Sequence, residues 1–382
     1  MSADLDFLEG KIILVGKRKG AADAARRLGL EPLEIDVKAR KEQAESAYGG
    51  GVTWAVEHAT ELLAGEKPIA VAAVATGSVV AAAAIRKHFG LPGVSPETAM
   101  ACHDKLVMKK AISAAGIPCA PWAETNEQTT AEQLIEILGL PLVLKLPISS
   151  GGRGVWICKS QDEVAKRLTK GLLAEGFVSG VEMSVEAFRY DSETLLINPT
   201  CYLKPRWANV VPAHLAESDW SAVKQLGECV YQALGIDSGI SHMEIFLTKN
   251  GPVFGEIAAR PPGGFLMELI RRAYDMDPWE VLLKLNIGLS PVMKTDAVCH
   301  AGVWLIHPEP GTVTAVRGLK QVKQMPGVVH ASCRLKKGDE VRTRIGSGET
   351  KGRIVVEADS YQSCADQLEA AVTSVVVECD PL

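Results

Sequence analysis

Short apolar runs alternate with amphipathic stretches over the first hundred residues. Lys11-Ile12-Ile13-Leu14-Val15 is one such run; Gly16 comes after it, and a helical segment then ends near Leu28-Gly29. Pro32 to Ile35 and Ile69 to Ala75 are two further strand candidates, and helical pattern separates them from each other and from the rest of the chain. Strands that alternate with helices form parallel sheets wrapped on their faces, so residues 1–97 are expected to fold as a small doubly wound α/β domain. The charged turn Gly16-Lys17-Arg18-Lys19-Gly20 stands where a helix start could hold an anion, or else is simply solvated. Ile69 to Ile85 is the longest apolar stretch. Thr76-Gly77-Ser78 interrupts it where a strand would turn into an Ala-rich helix, so a membrane span is not expected.

From Pro96 a helix is predicted over Glu97 to Ala115, closed by Gly116 and Pro118. A second domain, residues 98–300, is taken to begin there, and from Leu140 it is strand-rich with repeated glycine punctuation. Residues 301–382 alternate short β-like runs, Ala301 to Ile306 and Gly352 to Glu357 among them, and finish in a helix from Gln362 to about Thr373. This tail is expected to form a lobe packed on the second domain. The chain shows no internal repeat and no low-complexity segment.

Composition narrows the class of protein. At 382 residues and 47% apolar, the chain can bury a core in each of two or three domains without staples. Its 41 basic and 46 acidic residues sum to −5, with no basic block or aromatic-interleaved basic stripe, so nucleic acid is not an expected partner. Nine cysteines lie far apart and none forms a Cys-x-x-Cys, which points to reduced thiols. The start, Met1-Ser2-Ala3-Asp4-Leu5-Asp6, lacks the basic-then-apolar order of a signal peptide, and a cytoplasmic location is expected.

Two features carry chemistry. Val143-Leu144-Lys145-Leu146-Pro147 places a lysine inside an apolar strand, and Ser149-Ser150-Gly151-Gly152-Arg153-Gly154 comes directly after it. Glycines let a backbone close its N–H groups around phosphate oxygens while a lysine supplies the point charge, so the pair reads as a phosphate cradle. Alone, the loop would favour a flexible hairpin tip with an edge lysine. It is not a Walker loop, because it lacks a succeeding Gly-Lys-Ser/Thr.

The second feature is the run Ser241 to Thr248, then Lys249-Asn250-Gly251, then Pro252 to Arg260, an apolar hairpin pattern with Asn-Gly at its turn. With Lys249 to Gly251 as a three-residue loop, Thr248 faces Pro252, Ile245 faces Gly255, Met243 faces Ile257, and Glu244 lies across from Glu256. Phe246 and Phe254 are expected on the glutamate face, making it less polar than a solvated one. Opposed carboxylates repel unless a cation lies between them, and magnesium, which takes a few oxygens plus nucleotide phosphates, is the natural candidate.

Taken in order, Asp104-Lys105, then Lys145 with its glycine loop, then Glu175-Gly-Phe-Val-Ser-Gly-Val-Glu182-Met-Ser-Val, then His242-x-Glu244, then Gly255-Glu256-x-x-x-Arg260-Pro-x-Gly-Gly resembles the ATP-grasp ligases. The resemblance covers roughly residues 70 to 382. It implies an α+β ATP-grasp fold with a mobile lid at about 120–178. Lys105, Lys145, Ser150, Gly151, Gly152 and Gly154 would contact ATP phosphates, Glu175, Phe177 and Val178 would form the hinge around adenine, and Glu182 would bind ribose. Lys204, with Arg206 beside Pro205, would stand on a strand facing the phosphates or else at the surface. Glu244 and Glu256 would hold magnesium, with manganese as an alternative ion. Many relatives carry an asparagine two residues after the second glutamate, where this chain has Ala258, which leaves the number of ions open.

The Arg260-Pro261-Pro262-Gly263-Gly264 segment is closest in character to the L-amino-acid (dipeptide) ligases and related carboxylate–amine ligases. In that branch the arginine faces the reacting carboxylate or its phosphate; an Arg that merely pairs with Glu256 is the plainer alternative. Gly263, Gly264 and His214 would line the substrate cleft, though His214 fits a surface role as well. His242 either orients substrate or is hydrogen-bonded beside the metal strand, and Trp156 and Trp207 read as packing. The resemblance implies phosphorylation of a carboxylate by ATP and displacement of phosphate by an amine under the closed lid. Partners are then small molecules, and such ligases are often homodimers. Rival readings are an ATP-grasp carboxylase, a purine-biosynthesis-type ligase, or a non-catalytic nucleotide-binding regulator.

Overall fold

The computed structural model describes residues 8–37, 50–346 and 348–381, so the acidic Met1 to Asp6 segment lies outside the described residues. The first sheet is parallel, with Lys11–Val15 between Glu31–Ile35 and Ala70–Ala73. Ile12, Ile13, Leu14 and Val15 are all fully buried, as a strand covered on both faces by helices requires. The helix Lys19–Arg27 packs through Ala21, Ala22, Ala24 and Ala25. The apolar stretch from Ile69 resolves into the Ala70–Ala73 strand and the Val79–Phe89 helix. Among the described residues no helix is long and apolar enough to cross a membrane.

The single helix expected from Glu97 to Ala115 is two helices, Pro96–Ala101 and Lys105–Ala114. Asp104 breaks it: its backbone is extended, and its carboxylate accepts hydrogen bonds from the Leu106 and Val107 amides at 2.8 and 3.2 Å. A short acidic side chain that caps free helical N–H groups starts a new helix rather than continuing an old one. The break sets Lys105 in the first turn of the second helix.

Next comes a four-stranded sheet in the order Trp122–Glu124, Leu173–Gly176, Leu142–Lys145, Val155–Cys158. It has its own small core, built from Leu134, Leu142, Leu144, Val164 and Ala174 among others, with the helices Ala131–Leu138 and Gln161–Arg167. The main sheet has eight strands, in the order Gly251–Ala258, Gly239–Thr248, Val181–Tyr190, Glu193–Lys204, Ala208–Val211, His300–Ile306, Gly352–Ala358, Val328–Cys333. The chain beyond residue 300 therefore completes this sheet, packs the Tyr361–Thr373 helix against it, and adds the three-stranded sheet Glu340–Val341, Gly311–Arg317, Val376–Asp380. One face of the main sheet is apolar: Met183, Val185, Met243, Ile245 and Ile257 join Val223, Val230 and Tyr231 of the Glu217–Leu234 helix.

The hairpin places Glu244 opposite Glu256 and Met243 opposite Ile257, as expected, but by another route. The turn is shorter than expected, so Thr248 pairs with Gly251 rather than Pro252, and Ile245 pairs with Phe254 rather than Gly255. An irregularity in the ladder between Glu244 and Ile245 then shifts the register by one residue at Gly255. Turn and bulge cancel. Because a shift of one residue turns side chains to the other face, Phe254 sits in the apolar core with Ile245 and Met243, and only Phe246 shares the glutamate face. Gly255 is needed at the bulge: a Cβ there would lie 2.8 Å from the Glu244 carbonyl oxygen.

Gly255→Ala is accordingly expected to destabilise the protein by about 1–3 kcal/mol, the range for an added methyl group that forces backbone to move. Urea unfolding checks this, and a midpoint equal to wild type would show that the bulge relaxes freely.

Candidate active site

Alternation along the Val181–Tyr190 strand puts Glu182, Ser184 and Glu186 on one face, and the ladder aligns Ser184 with Glu244, Glu186 with His242, and Glu186 with Asn198. Glu186 is fully buried. Its carboxylate accepts from Ser184 Oγ at 2.7 Å, Asn198 Nδ2 at 2.8 Å and Thr200 Oγ1 at 2.6 Å, and its Oε1 lies 2.8 Å from His242 Nδ1. Tyr274 donates to Asn198 Oδ1 at 3.0 Å, which orients that amide. His242 Nε2 is 3.6 Å from Glu244 Oε1. Burial opposes charge on His242, but the hydrogen bonds and charges of Glu186 and Glu244 outweigh it and push its pKa up to about 9. Burial likewise works against the Glu244 carboxylate, and His242 and then Lys145 hold its pKa below the usual range.

Three lysines surround the carboxylates. Lys105 Nζ is 3.2 Å from Glu256 Oε2 and donates to the Ser149 carbonyl at 3.1 Å, while its backbone N–H donates to the Pro147 carbonyl at 3.0 Å. The glycine loop is thereby tied to the body of the protein beside Glu256. Glu175 is buried with one oxygen on each of two lysines: Lys109 Nζ at 2.8 Å and Lys145 Nζ at 2.5 Å. Burial opposes charge on Lys145 and Glu175, but attraction wins, raising the Lys145 pKa and lowering that of Glu175. Glu256 and Glu244 also act on Lys145, so the two halves of the cluster form one electrostatic unit.

Gly151, Gly152 and Gly154 have φ of 64, 76 and 64°, a left-handed run that side chains resist and that turns successive amides to one side. Ser150 is half-buried beside them and accepts from Arg153 Nη2 at 3.1 Å. Phe177 is 46% exposed and Val178 is half-buried where the Leu173–Gly176 strand leaves its sheet. Glu182 is pushed up to about 7, by burial first and by Glu244 next. Lys204 is exposed, its ammonium 5.4 Å from the ring centre of Trp207.

Arg260 is half-buried; its Nη1 donates to the Pro261 carbonyl at 2.7 Å, and Gly263 and Gly264 come next, Gly264 with φ 59°. Burial lowers the pKa of Arg260 while Glu256 opposes that. Arg18, from the charged turn of the first domain, donates from Nη2 to the Pro262 carbonyl at 3.2 Å and lies over Trp279. Arg18 is therefore built into the Arg260 segment, while Lys17 and Lys19 of the same turn are exposed. His214 is exposed against Tyr361, and no contact among the described residues joins it to the carboxylate cluster.

Lys105, Lys145, Glu175, His242, Glu244 and Glu256 are thus gathered in space. Sequence reasoning missed Lys109 and the Glu186 network. Both left a signal: Lys109 is one helical turn beyond Lys105, and Glu186 continues the polar alternation from Glu182. Ala258, opposite His242, offers no ligand, and no group of three or more His, Cys, Asp or Glu arranged for a metal occurs among the described residues. A two-carboxylate donor set with the remaining positions open to phosphate and water fits magnesium.

Sheet order, glycine loop and paired glutamates are those of the ATP-grasp class. An ATP-grasp domain model matches residues 110–264, and a model described as L-amino acid ligase C-terminal domain 2 matches residues 303–380. A D-alanine–D-alanine ligase of Trichlorobacter lovleyi is 30% identical over 220 residues, covering 52% of this chain and 68% of that protein. The L-arginine-specific L-amino acid ligase of Bacillus subtilis is 23% identical over 297 residues, 72% of each chain. The crystal structure of the L-amino acid ligase from Bacillus licheniformis superposes with a TM-score of 0.80 at 19% identity, covering 97% of this chain and 99% of that one. The chain spans 64% of the length of another relative, the y4rH protein of Sinorhizobium fredii, at 26% identity over 76% of its own length. The chain belongs to the ATP-grasp ligases.

A carboxyl whose folded pKa, here about 7, lies above its ordinary 4.5 costs stability above pH 7 and nothing below 4.5. The nucleotide-free Glu182→Gln protein should therefore melt above wild type at pH 8, with the gap closing as the pH falls towards 4.5. Its affinity for magnesium–ADP should fall about tenfold, as for loss of one hydrogen bond to a charged group. Melting curves at both pH values and ADP titration check the two halves.

Proposed function

We propose that this protein joins the carboxylate of an amino acid or small carboxylic acid to an amine, through an acyl-phosphate, releasing ADP and phosphate. The observation that carries the reading is the opposition of Glu244 and Glu256 in one ladder, with Lys105 on Glu256 and Arg260 four residues further on. The L-amino acid ligase character of residues 303–380 supports an amino acid as substrate. Nine cysteines, all free, fit a cytoplasmic setting.

Each residue then has a task. Glu175 holds Lys145 at the phosphates, and Lys105 ties the loop Ser150 to Gly154 over them. The exposed Phe177 and the neighbouring Val178 flank adenine, Glu182 takes ribose, and Lys204 stands towards the phosphate end. Glu244 and Glu256 would hold magnesium or manganese, which supplies charge neutralisation at the phosphoryl oxygens when bound. His242, held by Glu186, keeps Glu244 aimed at that position. Arg260 offsets charge on the reacting carboxylate and the phosphoryl group, with Gly263 and Gly264 leaving room for substrate. Closure of the glycine loop excludes water from the acyl-phosphate until the amine attacks.

Turnover with a panel of amino acids and small carboxylic acids should yield ADP and phosphate in step with amide. AMP and pyrophosphate as stoichiometric products on nucleotide chromatography would refute the acyl-phosphate route.

Arg260→Met keeps length but removes the forked donors. Its magnesium–ADP affinity should change little while amide formation falls by roughly 10²-fold or more, the loss typical of removing a preorganised charge-stabilising group. Calorimetry with ADP beside steady-state rates separates the effects, and weak ADP binding with normal turnover would assign Arg260 to the nucleotide instead.

A further inference from the structure

A second cationic centre lies away from the glutamates. Arg86 projects from the Val79–Phe89 helix and is only 5% exposed. Its Nε donates to the Val71 carbonyl at 2.9 Å and its Nη2 to Asn286 Oδ1 at 3.1 Å. Its Nη1 is buried without a hydrogen-bond partner, and no Asp or Glu among the described residues forms an ion pair with it. Burial lowers its pKa to about 10, so it is charged at neutral pH. A buried guanidinium held by two neutral acceptors and lacking a counter-charge is costly, and one carboxylate would supply both the charge and the missing acceptor.

The surroundings have room for one. Arg86 lines a cavity of about 370 Å³ between the first sheet, the start of the Gly239–Thr248 strand and the Pro278–Ile287 helix. Ile240, Leu282 and Leu285 form apolar wall, Asp237 is exposed on the lining, and Arg260 also lines the cavity. The backbone of Gly93 closes over the guanidinium, since a Cβ at this residue, with φ 121°, would lie 3.0 Å from Arg86 Nε. Ile240 precedes Glu244 by four residues, about 14 Å of strand, so the cavity is separate from the carboxylate pair yet touches Arg260.

We infer that this cavity is a binding site for a small carboxylic acid, with the ligand carboxylate on Arg86, its apolar part against Ile240 and Leu285, and its occupancy felt at Arg260. A free amino acid and a simple carboxylic acid share that chemistry. An ammonium group would favour the amino acid through Asp237.

The test uses the full chain with saturating magnesium–ADP and three probes: L-leucine, 4-methylpentanoate, which lacks the amino group, and leucinamide, which lacks the carboxylate. Asn286→Asp puts a carboxylate beside Arg86 from within. Calorimetry should show wild type binding L-leucine and 4-methylpentanoate but not leucinamide, the order of the first two reporting the part played by Asp237. In Asn286→Asp both affinities should fall at least tenfold, with a higher melting temperature and unchanged ADP affinity. Arg86→Lys, which keeps the charge but loses the fork, should weaken binding likewise. Equal carboxylate affinity in wild type and both variants would place the measured binding at the reaction site and overturn the inference. Absence of carboxylate binding to wild type would overturn it too.

Discussion

Like charges set directly opposite in a sheet repel, and a ladder that holds Glu244 against Glu256 requires neighbouring elements to offset the repulsion. The protein does so from two sides. His242, charged and fixed by Glu186, stands by Glu244, while Lys105 stands by Glu256. Neither cation comes from the ladder position opposite its carboxylate: His242 lies two residues along the same strand, and Lys105 enters from a helix that Asp104 restarts. The break in that helix, a departure from simple periodicity, is therefore part of the electrostatics of the glutamate pair.

Glu175 performs the corresponding task between the small sheet and the body. It joins Lys145, on a neighbouring strand of its own sheet, to Lys109, on the Lys105–Ala114 helix. Buried ion pairs add little net stability because desolvation consumes most of the attraction, but breaking one leaves a buried charge without compensation. Such a triad is better suited to setting position than to strengthening the fold. It fixes Lys145 relative to the helix whose first residue contacts Glu256. The small sheet keeps its own apolar core, and these polar contacts define its place against the body.

The polar face of the main sheet obeys a different logic. Glu186 is saturated by Ser184, Asn198, Thr200 and His242, and Tyr274 anchors Asn198 from the Leu266–Ala273 helix's C-terminal end. A fully satisfied buried network holds one rotamer for each member, and here the outcome is a fixed imidazole aimed at Glu244. Arg86 is the counterexample in the same molecule, equally buried and only partly satisfied.

Local pattern alone determined much of this protein. Strand and helix alternation specified the first parallel sheet, the lysine strand with its glycine loop specified a left-handed glycine turn beside Lys145, and the order of motifs from Asp104 to Gly264 specified the ATP-grasp class. Each of these depends on neighbours close in the chain, where propensity and side-chain periodicity act directly. The juxtaposition of Glu244 and Glu256 was legible too, although turn length and bulge were each misread and cancelled. Tertiary structure decided what pairs with what: Phe254 turned into the core, Glu175 placed between Lys109 and Lys145, Glu186 set under His242, and Arg18 brought from the first domain to the Arg260 segment. Those partners lie tens to hundreds of residues apart. A charge in a sequence shows that compensation is needed, but which group supplies it depends on how separate elements pack, because burial and Coulomb attraction act through space rather than along the chain.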